Sequence, residues 1–350
     1  MHWADVLAKE LLEQGDEHVL ATGITPSGPI HVGNLREVMT TETVHRAVRD
    51  QGGKSTLLYI GDTYDPLRKV YPFLEDHPSI DYEAHVGKPL SDVPCPCGEH
   101  ESYAHHFLEP FLEALSHLGI EPVVKLAHEM YQDGSYTEAI QQALDKAPEI
   151  REILEGVSGR ELPKHWLPLN VKCQACGKIS GTEPLLYEYP EVEYRCACEH
   201  EGRIDVREND IGKLPWRVDW PARWSFLGVT FEAFGKDHAA AGGSWDTGQP
   251  IARQVYEINP PHHTVYEFIH VKGEGAMHSS TGTGIAAGDV LDVTPPEVLR
   301  FFFERYQPNK HVEFDPGMGL LDLVDDYDRV LLEYHETGES GEINDIDRVL

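Results

Sequence analysis

Thr25-Pro26-Ser27-Gly28-Pro29-Ile30-His31-Val32-Gly33-Asn34 follows an apolar stretch, His18 to Ile24, and precedes a helical pattern that runs from Asn34 to about Asp50. The order is strand, Gly/Pro/Ser turn, helix. At such a junction the free backbone N–H groups and the helix dipole favour an anion. Gly28 and Gly33 let a ligand approach the backbone closely. His31 and Asn34 stand three residues apart at the helix entry, so both can face one side and donate to phosphate oxygens as charge develops on a leaving group.

Working outward, a second strand, Ser55 to Ile60, ends at Gly61-Asp62, as in a parallel sheet whose strand C-termini face a ligand crevice. From about Tyr64 to Trp216 the rhythm is interrupted by a stretch with all six cysteines, a helix near Tyr103 to Leu118 and a charged helix near Thr137 to Glu155. Sheet pattern resumes with Val229 to Phe234, a Gly-rich turn into a helix near Ser244 to Tyr256, and an alternating strand Thr264 to Val271. The expected class is α/β: a parallel-sheet, Rossmann-like nucleotide fold split by an insertion. Residues 1–64 and 216–285 would form its halves, 65–215 the insertion, and 286–350 a helical region whose second helix opens Pro295-Pro296-Glu297.

Gly235-Lys236-Asp237-His238 closes the third of these strands and is followed by Gly242-Gly243-Ser244 before a helix. Asp237 can accept ribose hydroxyls there, and His238 can face the substrate. The stretch Lys272 to Gly284 is too rich in Gly, Ser and Thr to be a strand.

At 350 residues the chain is long enough for two or three lobes with ordinary cores. It has no run of about 18 apolar residues, and its N-terminus, with Asp5, Glu10 and Glu13, lacks a signal-peptide pattern, so a soluble cytoplasmic protein is expected. Sixty Asp and Glu against 29 Lys and Arg give a formal net charge of -31, which by itself argues against a polyanionic partner. The acid is spread along the whole chain, however, and Arg outnumbers Lys. That pattern suits a high-salt cytoplasm, where the Debye length falls to about 3 Å at 1 M and long-range repulsion is screened.

The cysteines fall into three close pairs, which in an intracellular chain favour metal over disulfides. Cys173-x-x-Cys176 and Cys196-x-Cys198 can present four thiolates to one tetrahedral Zn2+ at about 2.3 Å. Cys95, Cys97, His100, His105 and His106 form a second candidate zinc cluster.

His31-Val32-Gly33-Asn34 with the preceding Pro-Ser-Gly resembles the signature loop of the class I lysyl-tRNA synthetases. Gly61-Asp62-Thr63-Tyr64-Asp65-Pro66-Leu67-Arg68-Lys69 and His100-Glu101-Ser102-Tyr103 are similar to further segments of that family, in the same order. The resemblance, of a haloarchaeal type, implies activation of L-lysine with ATP and Mg2+ and transfer to tRNA(Lys) by a monomer. It places ATP against Pro26, Ser27, Gly28, His31, Gly33, Asn34, Gly235, Asp237 and Met277, and lysine against Thr25, Gly28, Asp62, Trp220, His238 and Tyr266. Ala276-Met277-His278-Ser279-Ser280-Thr281-Gly282 occupies the place of the family's mobile catalytic loop. Met277, Ser279 and Ser280 are the residues carried over, while Ala276 and Thr281 stand where lysines are expected. Backbone amides, His278, Lys272 or Mg2+ must then stabilise the transition state. The family's Pro-x-Pro-x-Gly-x-His frame makes Cys95, His100 and His106 ligands of the first zinc, with Cys97 or Glu99 completing it. The family also continues into an anticodon-binding region that 350 residues largely omit. Two other readings are a glutamyl-like class I enzyme and a catalytically impaired, zinc-containing tRNA-binding paralogue.

Overall fold

A computed structural model describes residues 1–75, 77, 79–272, 284–337, 348 and 349. The chain begins with α1 (Trp3–Leu12), β1 (Glu17–Ile24), α2 (Leu35–Asp50) and β2 (Lys54–Gly61). After a stretch of short turns come α3 (Tyr103–His117), β3 (Val123–Leu126), α4 (Ala127–Gln132), α5 (Thr137–Asp145) and α6 (Ala147–Ser158). A β-rich unit follows: β4 (Asn170–Val171), β5 (Thr182–Glu188), β6 (Glu191–Cys196), β7 (Glu201–Asp205) and β8 (Gly212–Lys213). Then come α7 (Trp216–Leu227), β9 (Phe231–Gly235), α8 (Ser244–Gln254), β10 (His262–Tyr266), β11 (Ile269–Val271), α9 (Ala287–Leu291), α10 (Pro296–Glu304), β12 (Val312–Phe314) and α11 (Met318–Thr337).

Five strands form one parallel sheet in the order β10-β9-β1-β2-β3. From β1 the chain moves outward through β2 to β3, and only later fills the other side with β9 and β10. The strand order therefore reverses between β1 and β9, and a crevice opens at the carboxyl ends of these two strands. Parallel strands are covered on both faces, which explains the near-continuous burial of β9 and of the second half of β2. Gly23, near the end of β1, allows a close fit: a Cβ there would fall 2.6 Å from the Ile60 carbonyl oxygen of β2.

Three elements depart from the sequence expectations. The helix expected over Thr137–Glu155 is two helices, because Pro148 near the start of α6 lacks the N–H a continuous helix needs and Lys146 adopts φ -106, ψ 26. The strand expected over Thr264–Val271 is also two. β10 pairs with β9, whereas β11 leaves the sheet to pair with β12, and Glu267 N–H donates to the Pro308 carbonyl between them. The apolar alternation runs through the junction, and periodicity carries no mark of a change of partner. Finally, β3 lies inside the stretch expected as an insertion yet forms the edge of the main sheet; it is four residues long and mostly exposed.

The β-rich unit is a three-stranded antiparallel sheet, β5-β6-β7, beside the short pair β4-β8. Its buried Val192, Tyr194, Ile204 and Val206 belong to the same apolar core as Trp220, Trp224 and Phe234 beneath the main sheet. The C-terminal helices pack on α2 and α3 through Leu299, Phe301, Phe302 and Phe303. Buried Arg36 of α2 fastens this layer by donating to the carbonyls of Phe303, Gln307 and Pro308 at 2.8, 3.0 and 3.2 Å. No helix among the described residues is long and apolar enough to cross a membrane.

Candidate functional site

At the reversal of strand order lies a cavity of about 550 Å³. Thr25 and Asn34 of the signature loop, Asp62, Asp65 and Arg68 after β2, and His238 after β9 all line it. The loop after β1 and the loop after β9, far apart in sequence, therefore share one cavity because their strands are neighbours in the sheet.

The signature loop is held from several sides. Asn34 Oδ1 accepts from His31 N–H at 3.2 Å, so the side chain turns back onto the loop at the entry to α2. Ser27 O accepts from Tyr103 OH at 2.8 Å, and Thr25 Oγ1 donates to Asp65 Oδ2 at 2.9 Å. Val32 N–H donates to Ile285 O at 2.9 Å and Ala287 N–H to Ile30 O at 3.1 Å. The loop is thus zipped to the segment that follows residues 273–283. Met277, Ser279 and Ser280, with Ala276, His278 and Thr281, lie outside the described residues. Lys272, just before them, pairs with Asp315 at 2.8 Å.

Beneath the cavity lies a buried ionic cluster that joins four parts of the chain. Arg223 of α7 pairs with Asp62 and, at 2.8 Å, with Asp219; its Nε donates to Tyr136 OH at 2.9 Å. Lys213 pairs with Asp219 and lies 3.5 Å from Asp65. Burial works against the charged form of Asp219, but Arg223 and Lys213 outweigh it and hold the carboxyl below its usual range. Arg223 and Asp219 thereby stay beneath the cavity, while Asp62, Asp65, Arg68 and Lys213 reach its lining.

The aromatic wall is Trp216, which was not among the residues expected here. Its ring stacks on Trp220 at 5.4 Å, and the His238 ring stands 5.9 Å from Trp216 and 5.5 Å from Trp220. Trp220 is buried behind this wall, and Tyr266 is buried at the end of β10, where its OH donates to Glu37 at 2.8 Å. Burial pushes His238 below its ordinary pKa, so a neutral imidazole faces the cavity at neutral pH. Asp237 is exposed beside it, and Gly235 is buried; a Cβ on Gly235 would fall 2.7 Å from Asp237 Oδ1. Glu37, one turn into α2, also lines the cavity. Neither Glu37 nor Trp216 carries a local sequence signal, since only the tertiary fold turns them inward.

Glu232 of β9, buried, accepts from Trp224 Nε1 at 2.6 Å, and burial pushes its carboxyl up from 4.5 to about 7. With the folded pKa raised, the native chain keeps a proton that the unfolded chain releases above about pH 4.5. Stability from this group is therefore present at low pH and lost as pH rises to about 7, an effect of roughly 3 kcal/mol. Glu232→Gln, which keeps an acceptor for Trp224 but cannot ionise, is expected to gain on the wild type progressively from pH 5 to 8. Urea melts at fixed ionic strength measure this, and a pH-independent difference between the two proteins refutes it.

Two groups of thiols and imidazoles have the spacing of metal ligands. The Sγ atoms of Cys173, Cys176, Cys196 and Cys198 all lie within 4.8 Å of one another, with Cys173–Cys198 and Cys176–Cys196 at 3.7 Å. Four thiolates at about 2.3 Å from a tetrahedral zinc stand roughly 3.8 Å apart, so the set fits. In the second group Cys95, Cys97 and His106 cluster, with Sγ–Sγ 3.3 Å and Sγ–Nδ1 3.7 and 3.3 Å. The His100 ring lies 5.2 Å from that of His106, and its Nδ1 bonds to Glu109 Oε2 at 2.8 Å. Neither Glu99 nor His100, expected as a ligand, is part of the cluster.

Residues 1–347 match the family model described as tRNA synthetases class I (K). The chain is 53% identical over 97% of its length to "Lysine--tRNA ligase 1" of Methanosarcina acetivorans, covering 63% of that protein. It is 46% identical over 99% of its length to "Lysine--tRNA ligase" of Archaeoglobus fulgidus, covering 69% of it. The chain thus spans a little under two thirds of the length of the Methanosarcina relatives it matches.

Proposed function

Since the chain belongs to the class I (K) tRNA synthetases, we propose that it activates L-lysine with ATP to lysyl-adenylate and transfers the lysyl group to tRNA(Lys). The observation that carries this reading is the meeting of Asn34 and His238, from the loops after β1 and β9, in one cavity at the reversal of strand order.

In this reading His31 and Asn34 donate to the triphosphate. Pro26, Ser27, Gly28 and Gly33 bring backbone close to it, and Gly235 and Asp237 take the ribose. The lysine carboxylate attacks the α-phosphate and pyrophosphate leaves, with Mg2+ neutralising phosphate charge. Thr25, Gly28, Asp62, Trp220, His238 and Tyr266 shape the amino-acid pocket, with Trp216 as its nearest aromatic face. No covalent intermediate with the protein is needed, so positioning and electrostatics supply the rate. Two structural zinc ions, on Cys173, Cys176, Cys196 and Cys198 and on Cys95, Cys97, His106 and His100, would brace the region between the sheet halves. For the second ion Cys97 is preferred to Glu99, because its thiol already lies in the cluster. The setting proposed is a salt-rich cytoplasm and a monomeric chain.

The loss of lysine at Ala276 and Thr281 favours a second reading, an impaired tRNA-binding paralogue. Amino-acid-dependent ATP/pyrophosphate exchange in multimolar KCl, measured apart from tRNA charging, separates the two. Exchange that depends on lysine alone among the twenty amino acids is the expected result. ATP binding without exchange would establish the paralogue, and exchange with glutamate would move the chain to the glutamyl-like branch.

A further inference from the structure

The chain has 60 acidic residues against 29 Lys and Arg, yet three of its cations gather in one place without a counter-charge. Lys172 pairs with Asp92 and Asp210, and Lys213 with Asp219, whereas Arg68, Lys88 and Lys178 form no ion pair among the described residues. Arg68 is exposed, and Lys88 and Lys178 are half-buried. Their three segments are bound to one another. Leu67 N–H donates to Lys88 O at 2.9 Å and Gly87 N–H to Leu67 O at 2.8 Å, so Arg68 stands beside Gly87. Gly87 O in turn accepts from Ile179 N–H at 2.8 Å and Ser180 N–H at 3.1 Å, just after the turn that carries Cys173 and Cys176. Two glycines let the lysine stems lie against the backbone: a Cβ on Gly87 would fall 3.3 Å from Lys178 Cδ, and one on Gly177 would fall 4.0 Å from Lys88 Cε. The nearby His85 imidazole is held below its ordinary pKa by burial first and by Lys88 and Lys178 after it, against Asp81. Like charges so gathered repel one another unless an anion joins them.

Arg68 also lines the site cavity beside Asp65 and Pro66. The loops after β1 and β9 enclose the nucleotide in the reading above, but Arg68 follows β2, on the far side of β1 from β9. Charging brings a 3′ ribose into this cavity, so the strand that bears it must leave over a rim that ATP does not fill. Arg68 stands on such a rim, and Lys88 and Lys178 lead away from it toward the four-cysteine cluster. Regularly spaced negative charge on a flexible strand suits single cations from three segments, and a guanidinium can hold a phosphate through two N–H groups. We propose that Arg68, Lys88 and Lys178 form a track for the phosphodiester backbone of the unpaired 3′ strand of the RNA substrate, with Arg68 at the phosphate nearest the reacting ribose. The inference rests on the tRNA-charging reading above and gives its RNA a path. In a salt-rich setting, screening shortens electrostatics to contact range, so a local track suffices in spite of a net charge of -31.

The probe is a labelled RNA hairpin with a single-stranded 3′ overhang, compared with the same hairpin made blunt; binding to the full chain is followed by fluorescence anisotropy across a KCl series. Lys88→Gln with Lys178→Gln is expected to weaken binding of the overhang hairpin about tenfold, in the range of two exposed ion pairs. The slope of log affinity against log salt should fall by about 1.4, the value for two lost single-strand phosphate contacts, and by about 2 when Arg68→Gln is added. Binding of the blunt hairpin should not change. Neutral methylphosphonate linkages in the overhang should reproduce the loss with the wild-type chain and add little to it in the variant, which keeps the test decisive even if the variant does not fold. Overhang binding within about twofold of wild type in the double variant, an equal loss for the blunt hairpin, or methylphosphonates without effect each overturns the track. A raised ATP KM in lysine-dependent exchange would assign the cations to the triphosphate and overturn it as well. Overhang binding that depends on these cations, in a chain without lysine-dependent exchange, keeps the track and removes the proposed function. Lysine-dependent exchange with RNA binding indifferent to the three cations removes the track alone.

Discussion

Arg223→Met is expected to cost the chain about 3–5 kcal/mol of stability, the range for breaking a buried ion pair by removing one partner. Arg223 is 3 % exposed, and its guanidinium is shared by Asp62, Asp219 and the Tyr136 hydroxyl. A methionine fills similar volume, so the loss is electrostatic: two buried carboxylates would share Lys213 alone, and that lysine already contacts Asp65. At least one carboxyl must then take up a proton to stay inside. The variant should therefore be more acid-tolerant relative to wild type than it is at neutral pH, and lowering pH should narrow the gap between the two. Denaturant melts at pH 5 and pH 8 measure both quantities. A variant that melts with the wild type at pH 8 would show that the cluster is solvated and that its charges are not interdependent. Replacing Arg223 and Asp219 together by apolar residues should be milder than the single change, since the uncompensated charge is reduced.

That cluster also marks where reading from sequence stops. Arg223 and Asp62 are separated by 161 positions, and nothing in either local sequence requires the other. The signature loop was legible because its cues are local: glycines at a strand-to-helix junction with His31 and Asn34 at the entry. The four-cysteine site was legible for a similar reason, as two short turns can each supply a pair of ligands whatever the surrounding fold. The division into α5 and α6 was missed: one helix was expected over Thr137–Glu155, although Pro148 breaks it. Strand β3 was not legible: a four-residue edge strand with Val123 48 % and Val124 37 % exposed has neither length nor alternation. Glu37 lies in a helix among both buried and polar neighbours, and Trp216 adjoins other tryptophans. Which of them faces the cavity depends on how α2 and α7 seat against the sheet. The relation between the two loops was an inference from strand order, and the parallel pairing of β1 with β9 supplies its physical basis.

Removing the proposed zinc from the four-cysteine cluster is expected to unfold the β5-β6-β7 unit and loosen the helices that share its core. A structural zinc site of this kind contributes on the order of 10–16 kcal/mol of apparent binding free energy at neutral pH, and in small domains that is folding free energy. The unit has few other resources. Leu185 and Leu186 of β5 are exposed, and its inward residues Val192, Tyr194, Ile204 and Val206 are four side chains in a larger shared core. That sharing makes the effect spread, because the same core contains Tyr136, Leu214, Trp220 and Trp224, which carry or border the ionic cluster. Cys176→Ala should lower the zinc content of the purified chain by one equivalent and raise amide exchange over β5 to β7 first. A smaller rise should follow in α5 and α7, while β1 and β2 stay protected. Lysine-dependent pyrophosphate exchange should fall less than tRNA charging, since the signature loop is anchored by β1, Tyr103 and Ile285 rather than by the cysteines. Unchanged zinc content and exchange in Cys176→Ala would mean that the four thiols are held together by packing and not by an ion. A loss of protection in β1 and β2 equal to that in β5 to β7 would mean instead that the β-rich unit and the main sheet fold as one.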